Sequence, residues 1–284
     1  YNYFLGHQNS EGLQGTCRGL YDYNTLTSDE AMIPTRGGDW YDGGLWKNLY
    51  QHKWSANDIY LYDIWKYLYK VIMLSNKSLA DIESHKGALS YDQYKCFTAE
   101  VRAIRALYYW YAMDMFGNIP LVTSYNVKLE QVVQNKRSEV FQFIVDELQQ
   151  AAPLLADARS NKAGDYYGRI TRPVVHFLLA KLALNAEIYS DDNWTDGKQM
   201  DGRTIFFDVN GVKKNAWETC IWYCDQLNSV GYTLESDYAT NFAVHNENSD
   251  ENILTIPLDK NLYLNEYHYL FRSRHYAHGG AYGG

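Results

Sequence analysis

The sequence predicts an all-α chain in which long helices are joined by long aromatic-rich loops, with only minor short strands. Three observations lead there. Apolar side chains recur at steps of three and four through long stretches with little glycine or proline, which is the spacing of helical faces. The strict polar–apolar alternation of a half-buried strand is sparse. One stretch, residues 98–116 (TAEVRAIRALYYWYAMDMF), is apolar on two faces at once. Ile104, Leu107, Tyr108, Tyr111 and Met115 form one stripe, and Ala103, Ala106, Trp110 and Met113 a second. A helix apolar on two faces is buried between neighbours, so this segment is read as the central helix. More than half of the residues are expected in helix and under a tenth in strand.

The elements follow in chain order. Residues 1–24 are glycine-rich, with a helix placed around 14–23. Residues 25–54 carry Pro34 and the pairs Gly37-Gly38 and Gly43-Gly44, so they are read as one long loop. A long helix is expected over 57–83, with Ile59, Tyr62, Ile64, Leu68, Val71, Ile72, Leu74 and Leu79 on its apolar side. It pairs with the central helix across a polar link at 86–91. The central helix stops at Gly117, placed in a left-handed conformation, and Pro120 bars its continuation. A third helix is expected over 138–155, opened by a Ser138 cap, and a fourth over 172–189, capped by Thr171 with Pro173 in its first turn. Ala180, Ala183 and Ala186 let a neighbour come close to that fourth helix. A fifth runs over 215–230 and closes at Gly231. Short strands are placed at 121–122, 205–209 and 253–258, and a tyrosine-rich loop at 259–284. Helical hairpins in series resemble tetratricopeptide repeats, although no strict repeat consensus is present.

Composition narrows the function. A chain of 284 residues with 46% hydrophobic and 21% charged residues is globular and large enough to bury a sizeable core. Its net charge of −8 makes nucleic acid or an anionic lipid surface a poor partner. No apolar run approaches the ~20 residues of a membrane span. Aromatic content is high, with 27 Tyr, 8 Trp and 10 Phe. Such rings serve either as flat amphipathic ligand platforms or as helix–helix seams. Cys17, Cys96, Cys220 and Cys224 show no metal-binding spacing and are read as small buried hydrophobes.

The central stretch AEVRAIRALYYWYAMDMFGNIPLV resembles the signature helix of the SusD/RagB family. The matching residues are Ala99, Glu100, Arg102, Arg105, Ala106, Tyr109, Phe116, Gly117, Pro120 and Leu121. The resemblance extends through SDEAMIPTRGGDWYDGG, residues 28–44. It implies a cell-surface, outer-membrane lipoprotein of the Bacteroidota built on tetratricopeptide-like repeats. Such a protein captures an oligosaccharide or polysaccharide, without catalysis, and delivers it to a partner SusC-like TonB-dependent transporter. It further implies that residues 1–284 form a partial SusD-like domain. Loops 25–54 and 259–284 then face the ligand, and 57–231 form the helical repeat region. A lipid-anchor segment and a C-terminal part are expected outside the sequence.

The candidate ligand-binding residues are Arg36, Asp39, Trp40, Tyr41 and Trp46. Sugar recognition combines an aromatic face against ring C–H groups with charged side chains that bond hydroxyl pairs. The alternative is that Trp40 plugs the core while Asp39 and Asp42 cap turns. His275 and Tyr276 join the candidates through the resemblance. A glycosidase acid pair needs two carboxyls about 5–9 Å apart, and Asp29, Glu30, Asp39 and Asp42 permit this without favouring it. Residues 191–204 fail the EF-hand pattern, with Asp196 and Gly202 at the sixth and twelfth places. His268, His275 and His278 lack a fourth ligand or rigid support, so no metal or cofactor is implied. Arg102 and Arg105 are read as structural, tied to neighbouring acids. The alternatives to glycan capture are an α-helical glycoside hydrolase and a helical-repeat scaffold for protein or peptide.

Overall fold

The computed structural model describes residues 1–4, 11–13, 18–28, 30–38 and 40–257. These are 55% helical, with only two small sheets, so the all-α architecture holds. The described residues divide into two compact units, one within residues 1–69 and the other residues 70–257.

In the first unit α1 (Leu20–Leu26) packs on α2 (Leu45–Tyr50), and α3 (Ile59–Ser84) begins. The helix placed at 14–23 therefore starts and ends later, and residues 14–17 lie outside the described residues. α2 corrects the reading of 25–54 as irregular throughout. The glycine pairs end at Gly44, and Trp46 and Leu49 then stand three residues apart and bury on one face. Asp58 opens α3, because its carboxylate accepts from the backbone N–H groups of Tyr60 (2.9 Å) and Leu61 (3.2 Å). Tyr23 donates its hydroxyl to the same carboxylate at 2.8 Å, which ties α1 to the start of α3.

In the second unit the C-terminal half of α3 meets α4 (Tyr91–Phe116), the central helix. Tyr94 donates to Glu83 and Arg105 to Asn76 across this pair. α4 starts seven residues before 98 because Ser90 and Gln93 form a reciprocal capping box, bonding each other's backbone N–H at 3.2 and 3.0 Å. Ala99, Ala103, Ala106, Tyr108, Tyr109, Ala112 and Met113 are fully buried, as expected of a helix enclosed by neighbours. α5 (Arg137–Ala151) packs on α4, α6 (Arg172–Leu184) on α5, and α8 (Ala216–Ser229) on α6. Buried Ala180 and Ala183 keep α6 slim in that layer.

Several caps differ from expectation. Ser138 does not cap α5. Its backbone N–H and hydroxyl both donate to the Asp192 carboxylate, at 3.1 and 2.8 Å, so the helix end is satisfied by a residue 54 positions later. The acidic stretch that begins at Asp191 thus serves α5, and the Asp191 carbonyl also accepts from Arg137 at 2.6 Å. Thr171 stands at the N-cap of α6, yet its side chain makes no capping bond. Asn185 interrupts the fourth helix, leaving the short α7 (Ala186–Tyr189). α8 opens one residue after the expected 215, because Asn215 is its N-cap and forms a capping box with Glu218.

The strands also shift. β1 (Ile119–Pro120) pairs with β2 (Gln134–Asn135), two residues before the expected 121–122. β3 (Phe206–Val209) pairs with β4 (Val212–Asn215) through an Asn210-Gly211 turn with φ of 55° and 80°. Both turn residues need positive φ in the turn that matches strand twist, and Asn-Gly supplies it. Residues 253–257 are not a strand. Pro257 has no N–H to give a ladder, and it sits within 2.6 Å of where a Cβ on Gly168 would be. The cysteines are not buried: Cys96 and Cys220 are half-buried on their helices and Cys224 is exposed, while Cys17 lies outside the described residues.

Gly117 ends α4 with φ 68° and ψ −103°, which is not the left-handed helical conformation but a region still less open to side chains. No atom lies within 4 Å of a Cβ placed there, so the cost of a side chain is one of backbone conformation alone. Gly117→Val is expected to lower stability by about 1–3 kcal/mol, read as a lower urea midpoint. An unchanged midpoint would show that the stop tolerates a Cβ.

His176 on α6 stands against Trp222 and Tyr223 of α8, with ring centroids 6.2 and 5.4 Å away. Burial, and then the nearby Arg172 cation, push its pKa down from 6.5 to about 4, with Asp157 opposing weakly. The unfolded chain takes up a proton below its ordinary pKa, while the folded chain does not until about pH 4. Stability therefore falls as pH drops through that window. The side chain is half-buried, so the loss is expected to reach about 1–2 kcal/mol. His176→Gln should flatten the acid limb of a stability–pH profile, and a limb of unchanged slope would exclude this histidine as its source.

Candidate functional site: the aromatic loop of residues 36–54

Four of the five non-glycine residues with positive φ among the described residues fall in or beside this loop: Arg18, Trp40, Asp42 and His52. Such conformations cost about 1–3 kcal/mol each and persist only where surrounding contacts hold them. The contacts are built around Trp46, which is 2% exposed. Its indole N–H donates to the Asp42 carboxylate at 2.6 Å. Arg18 reaches the same carboxylate at 3.3 Å, and its guanidinium lies 5.9 Å from the Trp46 ring and 5.5 Å from Tyr60. Gly43 and Gly44, both at positive φ, turn the chain so that Asp42 faces back onto α2.

On this base stand the outward-facing rings. Trp40 is half-buried and meets Trp46 edge-on, with centroids 6.1 Å apart and planes at 69°. Tyr41 is 59% exposed, and Trp54, beside His52 at 5.5 Å, is 45% exposed. Arg36 is exposed and pairs with no group among the described residues. The arrangement offers aromatic faces and a guanidinium that is uncommitted among the described residues. That chemistry binds a polyhydroxylated ring by stacking and hydrogen bonding.

The loop therefore gathers Trp40 and Tyr41 with Arg36 near them in sequence, but it gives Trp46 another role. A ring that is 2% exposed has no face to offer a ligand, so Trp46 supports Trp40 from behind. The physical reason is its place on α2, where a helical face turns it inward beside Leu49. Asp39, His275 and Tyr276 lie outside the described residues. Asp42, weighed in the sequence as an acid catalyst or turn cap, is committed to Trp46 and Arg18. Sequence reasoning missed Arg18, whose distance along the chain hid it. It also passed over Trp54, whose polar neighbours Gln51, His52, Lys53 and Ser55 could have flagged an exposed ring.

Residues 21–184 match the SusD-like family described as starch-binding and associating with the outer membrane. The match covers more than half of the chain. This chain belongs to the SusD-like family. A SusD-like protein of Bacteroides ovatus is 24% identical over 245 residues, covering 84% of this chain and 40% of that protein. The starch-binding protein SusD of Bacteroides thetaiotaomicron is 26% identical over 188 residues, 63% of this chain and 30% of that protein. Among solved structures, a SusD superfamily protein from Bacteroides vulgatus has a TM-score of 0.67 at 17% identity, covering 90% of this chain and 47% of that one. A structure solved with a xylogluco-oligosaccharide has a TM-score of 0.61 at 23% identity, covering 84% and 43%. The chain spans less than half the length of these relatives. The SusD-like fold is helical and tetratricopeptide-like, as the hairpin series predicts. SusD-like proteins are carbohydrate-binding and associated with the outer membrane, and no helix among the described residues is long and apolar enough to cross a membrane.

Proposed function

We propose that this chain captures an oligosaccharide on the loop carrying Arg36, Asp39, Trp40 and Tyr41. The chain hands the ligand, chemically unchanged, to a SusC-like TonB-dependent transporter at the cell surface, where a lipid anchor holds the protein to the outer membrane. His275 and Tyr276 complete the ligand face in this reading. The observation that carries it is a strained, non-glycine backbone that holds Trp40 and Tyr41 outward on a buried Trp46, which Asp42 and Arg18 brace from the surface. Strain of this kind collects at sites that must be held in one geometry. The printed names of relatives support the ligand class, since one is a starch-binding protein and another a laminarin-binding SusD-like protein. The transporter and the anchor rest on family membership.

A glycan array combined with a reducing-sugar assay tests the reading. Binding without turnover is the expected result. Release of reducing ends would make the protein a glycosidase, and neither binding nor turnover would favour a protein- or peptide-binding scaffold.

A further inference from the structure

A separate cleft of about 510 Å³ opens inside the second unit, within the roughly 300–1,000 Å³ of small-ligand sites. It lies between the C-terminal end of α5, the start of α6, the middle of α8 and the β3–β4 turn, and no residue of the aromatic loop lines it. Three rings form one wall. Trp222 and Tyr223 are 4.9 Å apart, and His176 stands against both. The Nδ1 of His176 is buried without a hydrogen-bond partner among the described residues. The indole N–H of Trp222 bonds no group among the described residues.

The polar wall is only half committed. Gln150 accepts from Arg102 at 2.8 Å through Oε1, and its amide nitrogen bonds nothing among the described residues. Gln226 donates to the Trp222 carbonyl at 3.3 Å, leaving its amide oxygen. Asp146 accepts from Gln142 at 2.8 Å through Oδ1, leaving Oδ2. The cleft thus presents both donors and acceptors in reach of one aromatic wall. Its one cation, Arg172, is committed to the carbonyls of Ala152 and Leu155, each at 3.1 Å, and pairs with Asp157 at 3.5 Å. An anionic ligand therefore finds no uncommitted counter-charge, and Asp146 and Asp208 would repel it. Groups that both give and accept hydrogen bonds, carried on a ring with apolar C–H faces, complement these walls.

We propose that this cleft is a carbohydrate site of its own, in which a neutral sugar stacks on Trp222 and bonds Asp146, Gln150 and Gln226. The ligand class rests on the glycan-capture reading, but the residues do not overlap with the loop. The full chain labelled with 5-fluorotryptophan tests it by fluorine NMR. The Trp222 and Trp40 signals are assigned with Trp222→Phe and Trp40→Phe, and maltohexaose, laminarihexaose and a xyloglucan heptasaccharide serve as probes. The Trp222 signal is expected to shift saturably with at least one probe. Asp146→Ala, at an exposed residue, combined with Gln226→Ala, at a half-buried one, should weaken that titration fivefold or more while leaving the Trp40 titration unchanged. A shift at Trp40 with none at Trp222 would overturn the second site and leave loop capture standing. No shift at either signal would remove both readings. A Trp222 shift indifferent to the double variant, or produced by a mixed peptide pool and by none of the sugars, would also overturn the proposal.

Discussion

Glu147→Ala is expected to destabilise the protein by about 3–5 kcal/mol, the largest effect of any single substitution considered. Glu147 on α5 is the shared acceptor for both arginines of the central helix. Its Oε1 accepts from Arg102 Nε and Nη2 at 2.9 and 2.6 Å, and its Oε2 from Arg105 Nε and Nη2 at 3.2 and 2.5 Å. The Arg105 and Glu147 side chains are each 7% exposed. Truncating the acid leaves Arg105 buried, among the described residues, with Asn76 (2.8 Å), the Thr123 carbonyl (3.4 Å) and the Phe143 ring (5.5 Å), all neutral. An uncompensated buried charge is far costlier than the pair is favourable, so the loss should exceed that of a surface ion pair several-fold. Glu147→Gln preserves shape and one acceptor and should cost less. Urea denaturation of both variants checks this. A loss below about 1 kcal/mol for the alanine variant would mean that water reaches Arg105 and that the bridge is not what joins α4 to α5.

Trp40→Ala should weaken glycan affinity by roughly 1–3 kcal/mol, as removal of an aromatic hot spot does, while moving the thermal midpoint little. The structure separates the two effects. Trp40 is half-buried at the surface, whereas Trp46 behind it carries the packing, with its N–H satisfied by Asp42 and not by Trp40. Asp39→Asn should weaken binding less, because the amide keeps an acceptor and loses only charge. Calorimetry against the best ligand from the array decides the matter. Normal binding by Trp40→Ala would move the site off this loop, and unfolding would make Trp40 a core residue.

Much of the fold was written locally. The two apolar stripes of α4, the Gly117 stop and Pro173 in the first turn of α6 act within a few residues, and each appears where the spacing puts it. The Ser90–Gln93 capping box and the Asn210-Gly211 hairpin were legible by the same rules, although reading for apolar periodicity alone passed over both. At the aromatic loop, the residue types foretold a site rich in outward rings. They did not say which tryptophan faced out, because a six-residue helix after Gly44 turned Trp46 inward.

The sequence by itself determined helical class, the central helix and its stop, the resemblance to the SusD/RagB family, and the need for acids near Arg102 and Arg105. Only the tertiary structure decided that Glu147 serves both arginines, that Asp192 caps α5, and that Arg18 braces Asp42 beneath Trp40. Periodicity and caps are interactions of near neighbours and leave their mark in sequence spacing. A buried charge or an open helix end must be satisfied by whichever residue packing brings to it, here 42 and 54 positions along the chain, and no local pattern records that choice.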